Sequence, residues 1–190
     1  MNRDPRLPGR RGALGALLLL PCVARAELTG FGLFPVPYVP TPMPVVERML
    51  ELARIEPGDT VYDLGCGDGR IVIEAARRYG VQGVGIDLDP VRVEEALENV
   101  ARAGVGDRVR IRQGDLFETD LSPADVVTLY LLPEVNQRLR PRLWHDLREG
   151  ARVVSHDFHM GSTWPPDHSE KLDQSSIYAW TVRAEHKQAV

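Results

Sequence analysis

Cysteine is scarce in this chain: Cys22 and Cys66 are the only two in 190 residues. That excludes the disulfide framework that staples small secreted domains. Basic excess is also missing. Against 23 Lys and Arg stand 27 Asp and Glu, a formal net charge of −4, so the chain lacks the electrostatic footprint of a nucleic-acid or anionic-membrane binder. The apolar run from Ala13 to Ala24 is too short to cross a bilayer comfortably. Internal repeats are absent, which removes solenoids and arrays. What is present is ordinary globular composition, 43% hydrophobic and 26% charged, in a length that suits one domain with a sizeable core.

Residues 1–26 differ from the rest. Arg3, Arg6, Arg10 and Arg11 precede the apolar run, and Ala24-Arg25-Ala26 closes it. This reads as an export signal cut after Ala26, with Arg10-Arg11 loosely matching the twin-arginine route, or as an uncleaved anchor that brings the protein to a membrane. Cleavage would remove five arginines and one aspartate, leaving a net charge of −8 and Cys66 as the sole cysteine. The acidic mature surface favours basic partners such as lysine-rich protein segments.

Residues 27–56 read as a proline-rich arm followed by a helix, and residues 57–190 as the main domain. Five prolines between Gly30 and Pro44 forbid regular helix or central strand. Val45, Val46, Met49, Leu50 and Ala53 recur at helical spacing, with Thr41 as a candidate cap. Beyond a turn at Pro57-Gly58-Asp59, strand and helix alternate. Strands are expected over 60–64, 82–87, 108–112, 125–132, 151–155 and 177–183, with a further partner around 168–173. Helices are expected over 70–79, 90–103 with Asp89 as cap, and 134–147. The run 125–132 is almost wholly apolar, as a central strand is. Such alternation predicts an α/β fold with a doubly wound, mostly parallel, Rossmann-like sheet.

In such a sheet, ligands sit beyond the carboxyl ends of the strands where the chain order reverses. Gly65-Cys66-Gly67-Asp68-Gly69 falls at that place. Glycine lets a ligand approach the backbone, and the next helix's free N–H groups attract carboxylate or phosphate. Asp87 ends the second strand and can accept both hydroxyls of a ribose. Asp115 follows the third strand and can accept from an adenine amine, with Leu88 and Leu116 sandwiching the ring. The third glycine comes one residue too early for the dinucleotide fingerprint. Asp63 and Asp68 would also repel a pyrophosphate and suit an ammonium group instead. The ligand so described is S-adenosyl-L-methionine. Cys66, inside the bend, reads as a small packing residue rather than a nucleophile.

These residues carry a resemblance. Residues 60–132 are similar to class I S-adenosylmethionine-dependent methyltransferases, through Val61-Tyr62-Asp63-Leu64-Gly65-Cys66-Gly67-Asp68-Gly69-Arg70, Gly85-Ile86-Asp87 and Gly114-Asp115-Leu116. Tyr38-Val39-Pro40-Thr41-Pro42, the runs 68–73 and 125–132, and Arg152-Val153-Val154-Ser155-His156-Asp157-Phe158 narrow it. Over about residues 36–183 the chain resembles small protein-lysine methyltransferases, archaeal broad-specificity enzymes and the mitochondrial ones acting on ATP synthase subunit c and the adenine nucleotide carrier. The resemblance implies a seven-stranded sheet with an antiparallel last strand. It also implies that the arm folds over the cofactor, bringing Tyr38 and Thr41 to it.

A lysine acceptor must lose a proton first; with a reference pKa of about 10.4, roughly one amine in 10³ is nucleophilic near neutrality. Tyr130, as acceptor or aromatic wall, and Glu134, as lysine anchor, are the expected catalytic residues, with Asn136 behind them. Ser155-His156-Asp157 is expected near the substrate mouth. No metal is expected, because His156 and His159 have no further ligands nearby in sequence. Leu131-Leu132-Pro133-Glu134 stands where enzymes acting on nucleobase amines carry Asn/Asp-Pro-Pro-Tyr/Phe, which argues for a protein substrate and against DNA or RNA. A small-molecule methyltransferase and a non-catalytic cofactor-binding module are the alternatives.

Overall fold

The computed structural model describes residues 38–188. The expected export signal or anchor, and the first part of the proline-rich arm, lie outside the described residues. Five helices and seven strands follow in order: α1 Met43–Leu52, β1 Thr60–Leu64, α2 Arg70–Tyr79, β2 Gln82–Asp87, α3 Pro90–Ala103, β3 Val109–Gln113, β4 Val126–Leu129, α4 Pro133–Asp146, β5 Arg152–His156, β6 His168–Leu172, β7 Ser175–Thr181 and α5 Ala184–Lys187.

The seven strands form one sheet in the order β3-β2-β1-β4-β5-β7-β6. β1 to β5 are parallel. β7 inserts antiparallel between β5 and β6. The chain order reverses between β1 and β4, so the crevice where doubly wound sheets bind ligands lies at the end of β1.

Both faces of the sheet are covered. On one, Val45, Val46, Met49 and Leu50 of α1 pack with Val61, Val126, Val154 and Ile177. On the other, Leu139, Leu143 and Trp144 of α4 pack with Leu64, Val127, Leu129 and Val153. Alternate β4 residues point to opposite faces, which is why all four are buried apolar or hydrogen-bonded side chains. Trp164 and Trp180 close the second face at a ring separation of 5.7 Å.

Two boundaries differ from expectation for a steric reason. The expected strand 125–132 leaves the ladder after Leu129. Pro133 opens α4 and holds Leu132 extended at φ −63°, ψ 152°, so Tyr130–Leu132 become a crossover segment. α1 starts at Met43 with Pro42 in the capping position and no side-chain cap. The expected Thr41 cap is therefore not made; the Thr41 hydroxyl turns to His156 at 3.2 Å instead.

Candidate active site

The bend after β1 is built from glycine because two constraints coincide. Gly65 and Gly67 have φ of 78° and 53°, a region L side chains rarely enter. Space is also lacking: a Cβ on Gly65 would stand 2.8 Å from Leu131 Cδ2, and one on Gly67 2.5 Å from Tyr38 Cε2. The N–H groups of Gly65 and Cys66 donate to Ile86 O at 2.8 and 2.9 Å, fastening the bend to β2. Cys66 is buried, and burial pushes its thiol up, with Asp63 and Asp87 adding to the effect. It stays protonated, as a packing residue does.

Replacing Gly67 by alanine combines unfavourable φ with a clash on the Tyr38 ring. The expected result is loss of cofactor affinity by about tenfold or more, from roughly 1–2 kcal/mol of backbone strain, read by calorimetry. An unchanged affinity would mean that the arm and bend do not need this close approach.

Asp63 ends β1 and is buried, with Thr128 Oγ1 donating to it at 2.8 Å. Burial pushes its carboxyl up to about 7, the Thr128 hydrogen bond opposes this, and the charges of Asp87 and Asp68 raise it further. A carboxylate there has room for more donors than Thr128 supplies. Asp87, at the end of β2, accepts from the Gly67 N–H at 2.8 Å and the Asp89 N–H at 3.0 Å. Asp115 follows β3 and accepts from the Phe117 N–H at 2.8 Å. Leu88 is 70% exposed, and Leu116 is half-buried against the core.

Asp68 has a different environment from Asp63. Both its oxygens are held by Arg70, Nε to Oδ1 at 2.9 Å and Nη2 to Oδ2 at 2.6 Å. Burial pushes its carboxyl up, but the Arg70 bonds outweigh that and hold it below the usual range. Arg70 Nη1 also donates to Thr41 O at 2.9 Å. Asp68 therefore joins the arm to the bend through Arg70, a link not expected from the sequence. The Tyr38 ring lies over Gly67, with the Arg92 guanidinium 4.5 Å from its centroid.

The other half of the site lies at the ends of β4 and β5. Tyr130 lies against His156, ring centroids 3.9 Å apart and tilted by 35°, and donates its hydroxyl to Asp157 Oδ2 at 3.3 Å. Burial, then the Asp157 charge, raises its phenol. His156 is buried between Thr41 and Ser175, with Nε2 2.9 Å from the Ser175 hydroxyl. Burial lowers its pKa and the Asp157 charge only partly opposes this, so the imidazole is neutral near pH 7. Asn136 is buried and donates to Ser155 Oγ at 3.2 Å and Phe158 O at 3.0 Å. Glu134 stands exposed in the first turn of α4.

Known proteins align with this arrangement. The family model described as the ANTKMT methyltransferase domain matches residues 63–168, from Asp63 to His168. A protein-lysine N-methyltransferase of Saccharolobus islandicus is 46% identical over 80% of this chain and 96% of its own length. The mouse adenine nucleotide translocase lysine N-methyltransferase is 40% identical over 80% of this chain and 63% of its own length. Among solved structures, an RNA methyltransferase from Salinibacter ruber, in complex with S-adenosyl-L-homocysteine, is 58% identical with a TM-score of 0.75, over 77% of this chain and 95% of that one. With its glycine bend, strand-end acids and mixed seven-stranded sheet, the chain belongs to the ANTKMT methyltransferase domain family and is an S-adenosylmethionine-dependent methyltransferase.

Proposed function

We propose that the acceptor is the side-chain amine of lysine in proteins. The observation that carries this is the likeness to enzymes named as lysine methyltransferases across 80% of the chain. The site's chemistry agrees with it. Asp63 is a buried acid with, among the described residues, only the Thr128 hydroxyl as side-chain donor, and an ammonium beside it would compensate the charge that burial penalises. Asp63 then takes the amino group of the cofactor's amino-acid end. Asp87 takes the ribose hydroxyls, Asp115 the adenine amine, and Leu88 and Leu116 the ring faces. Arg70, Asp68 and Thr41 hold the arm, and Tyr38 covers the bend.

The bound cofactor supplies an electrophilic methyl on a sulfonium, so the chain has to align an acceptor and keep water away. Tyr130, at the end of β4, walls the acceptor channel, and Glu134 anchors the approaching lysine. The net charge of −4 favours a basic protein acceptor over a nucleic acid. RNA is the second reading, because the Salinibacter ruber structure carries that description.

Methyl-labelled cofactor, a lysine-rich histone fraction and total RNA separate the two. The expected result is label recovered as methyllysine after acid hydrolysis. Label confined to RNA would overturn the lysine reading. The chain itself has only Lys171 and Lys187, so self-labelling adds little background.

A further inference from the structure

Asp157 has a backbone and a set of partners that cofactor binding does not explain. It follows β5 with φ of 60°, in the left-handed region that costs most L residues energy and that Asn, Asp and Gly tolerate best. Its N–H donates to Ser176 O at 2.7 Å, and its Oδ1 accepts from the Ser176 N–H at 2.9 Å. One oxygen is thereby locked to β7. The other, Oδ2, faces the Tyr130 hydroxyl at 3.3 Å and His156 Nε2 at 3.4 Å. The side chain keeps 29% of its surface exposed.

The sheet register places this carboxylate beside the glycine bend. Leu64 pairs with Leu129 and Leu129 with Ser155. Gly65 and Tyr130 are thus the residues just past the ends of β1 and β4, and His156 the last of β5, on neighbouring strands about 4.8 Å apart. Among the described residues the partners of Asp157 are backbone groups of Ser176, a phenol and an imidazole, with no Lys or Arg against its charge. The Tyr130 and Phe158 rings, stacked at 6.3 Å, add aromatic faces of the kind that attract ammonium and methylammonium groups. Asn136, donating to Phe158 O at 3.0 Å, fixes the turn that presents them.

We propose that Asp157 is a catalytic residue that binds the incoming lysine ammonium through Oδ2, beside the Tyr130 hydroxyl, and takes its proton. This rests on the lysine reading above. The ammonium gives one proton to Asp157 Oδ2, leaving a neutral amine. The amine lone pair forms the new N–C bond to the methyl carbon, and the C–S bond breaks with its electron pair kept by sulfur. The products are a methylammonium and a neutral thioether, and the proton leaves Asp157 through its exposed side to water. Withdrawal from water lowers the pKa of the entering amine, which eases the transfer.

The test uses the full-length chain and its Asp157→Asn and Asp157→Gly variants. Asparagine keeps the acceptor for Ser176 N–H and tolerates the left-handed backbone, and glycine removes the strain altogether, so both are expected to fold. Two quantities are read: methylation rate on a lysine-rich histone fraction, and binding of a glycine–serine decapeptide with one central lysine, or norleucine, to enzyme saturated with S-adenosylhomocysteine. In both variants the rate is expected to fall by about 10²-fold or more, and the preference for lysine over norleucine to vanish. S-adenosylhomocysteine affinity should stay within about twofold. Variants that keep the rate and the preference overturn the assignment while leaving the lysine reading intact. A wild-type chain that labels lysine yet binds both peptides alike overturns the Asp157 assignment alone, and one that labels no lysine overturns both.

Discussion

Asp63→Asn is expected to weaken S-adenosylmethionine binding by about 10²-fold near pH 8, the loss of a charge-assisted hydrogen bond worth roughly 1.5–3 kcal/mol. The same change is expected to raise the melting temperature of the cofactor-free protein. The reason is the burial that pushes the carboxyl from 3.8 up to about 7. An acid whose folded pKa lies above its unfolded value costs nothing below about pH 4. It destabilises progressively as pH rises toward 7, and by a constant amount above. At one pKa unit per 1.36 kcal/mol the limit is on the order of 4 kcal/mol. Asparagine keeps the Thr128 contact and has no charge to bury.

The wild-type chain should then bind its cofactor in a pH-dependent way. The cofactor's ammonium requires Asp63 ionised, so below about pH 7 binding releases a proton. Affinity should fall by up to about tenfold for each unit the pH drops from 7 toward 5, and level off above 7. Calorimetry in buffers of different ionisation heat reads both the affinity and the proton. An affinity flat across this range, or an asparagine variant that binds as well as wild type, would remove Asp63 from the cofactor's amino end.

Asp87→Ala is expected to weaken cofactor binding further, by about 10²–10³-fold, for two hydroxyl contacts of roughly 1.5–3 kcal/mol each offset partly by water. The carboxylate also accepts from the Gly67 and Asp89 N–H groups, so truncation loosens the bend as well as the ribose site. It has a signature in the pH profile. The Asp87 charge is one of the causes that raise Asp63, so its removal should shift the inflection of cofactor binding to lower pH. Affinity within about threefold of wild type, with an unmoved inflection, would show that ribose is held elsewhere.

The placement of the glycine bend and the strand-end acids was legible in the chain because it is local. The bend, the acid before it and the two later strand-end acids each lie within a few residues of a strand terminus, and strand order carries them to one edge. The α/β alternation, the cap at Asp89 and the apolar 125–132 run are period and composition signals of the same local kind. Asp89 does accept from the Val91 N–H at 2.9 Å. The short α5 helix had no such signal: Ala184–Lys187 is one turn with no buried residue.

Contacts between residues far apart in sequence were not legible. Thr41 read as a helix cap because only its neighbours were visible; its hydroxyl instead meets His156, 115 residues on. Asp68 read as a second ammonium acceptor, yet Arg70 occupies both its oxygens and reaches on to the arm. Asp157 read as part of the Ser155-His156-Asp157 group near the substrate mouth, with no particular role; its left-handed backbone and its lock to Ser176 come from β7 pairing antiparallel with β5. Periodicity, glycine placement and charge, all properties of short stretches, settled the fold class and the cofactor. Which acid stays unpaired and which is neutralised depends on partners that only the closed sheet brings within hydrogen-bond reach, so that part belonged to the tertiary structure alone.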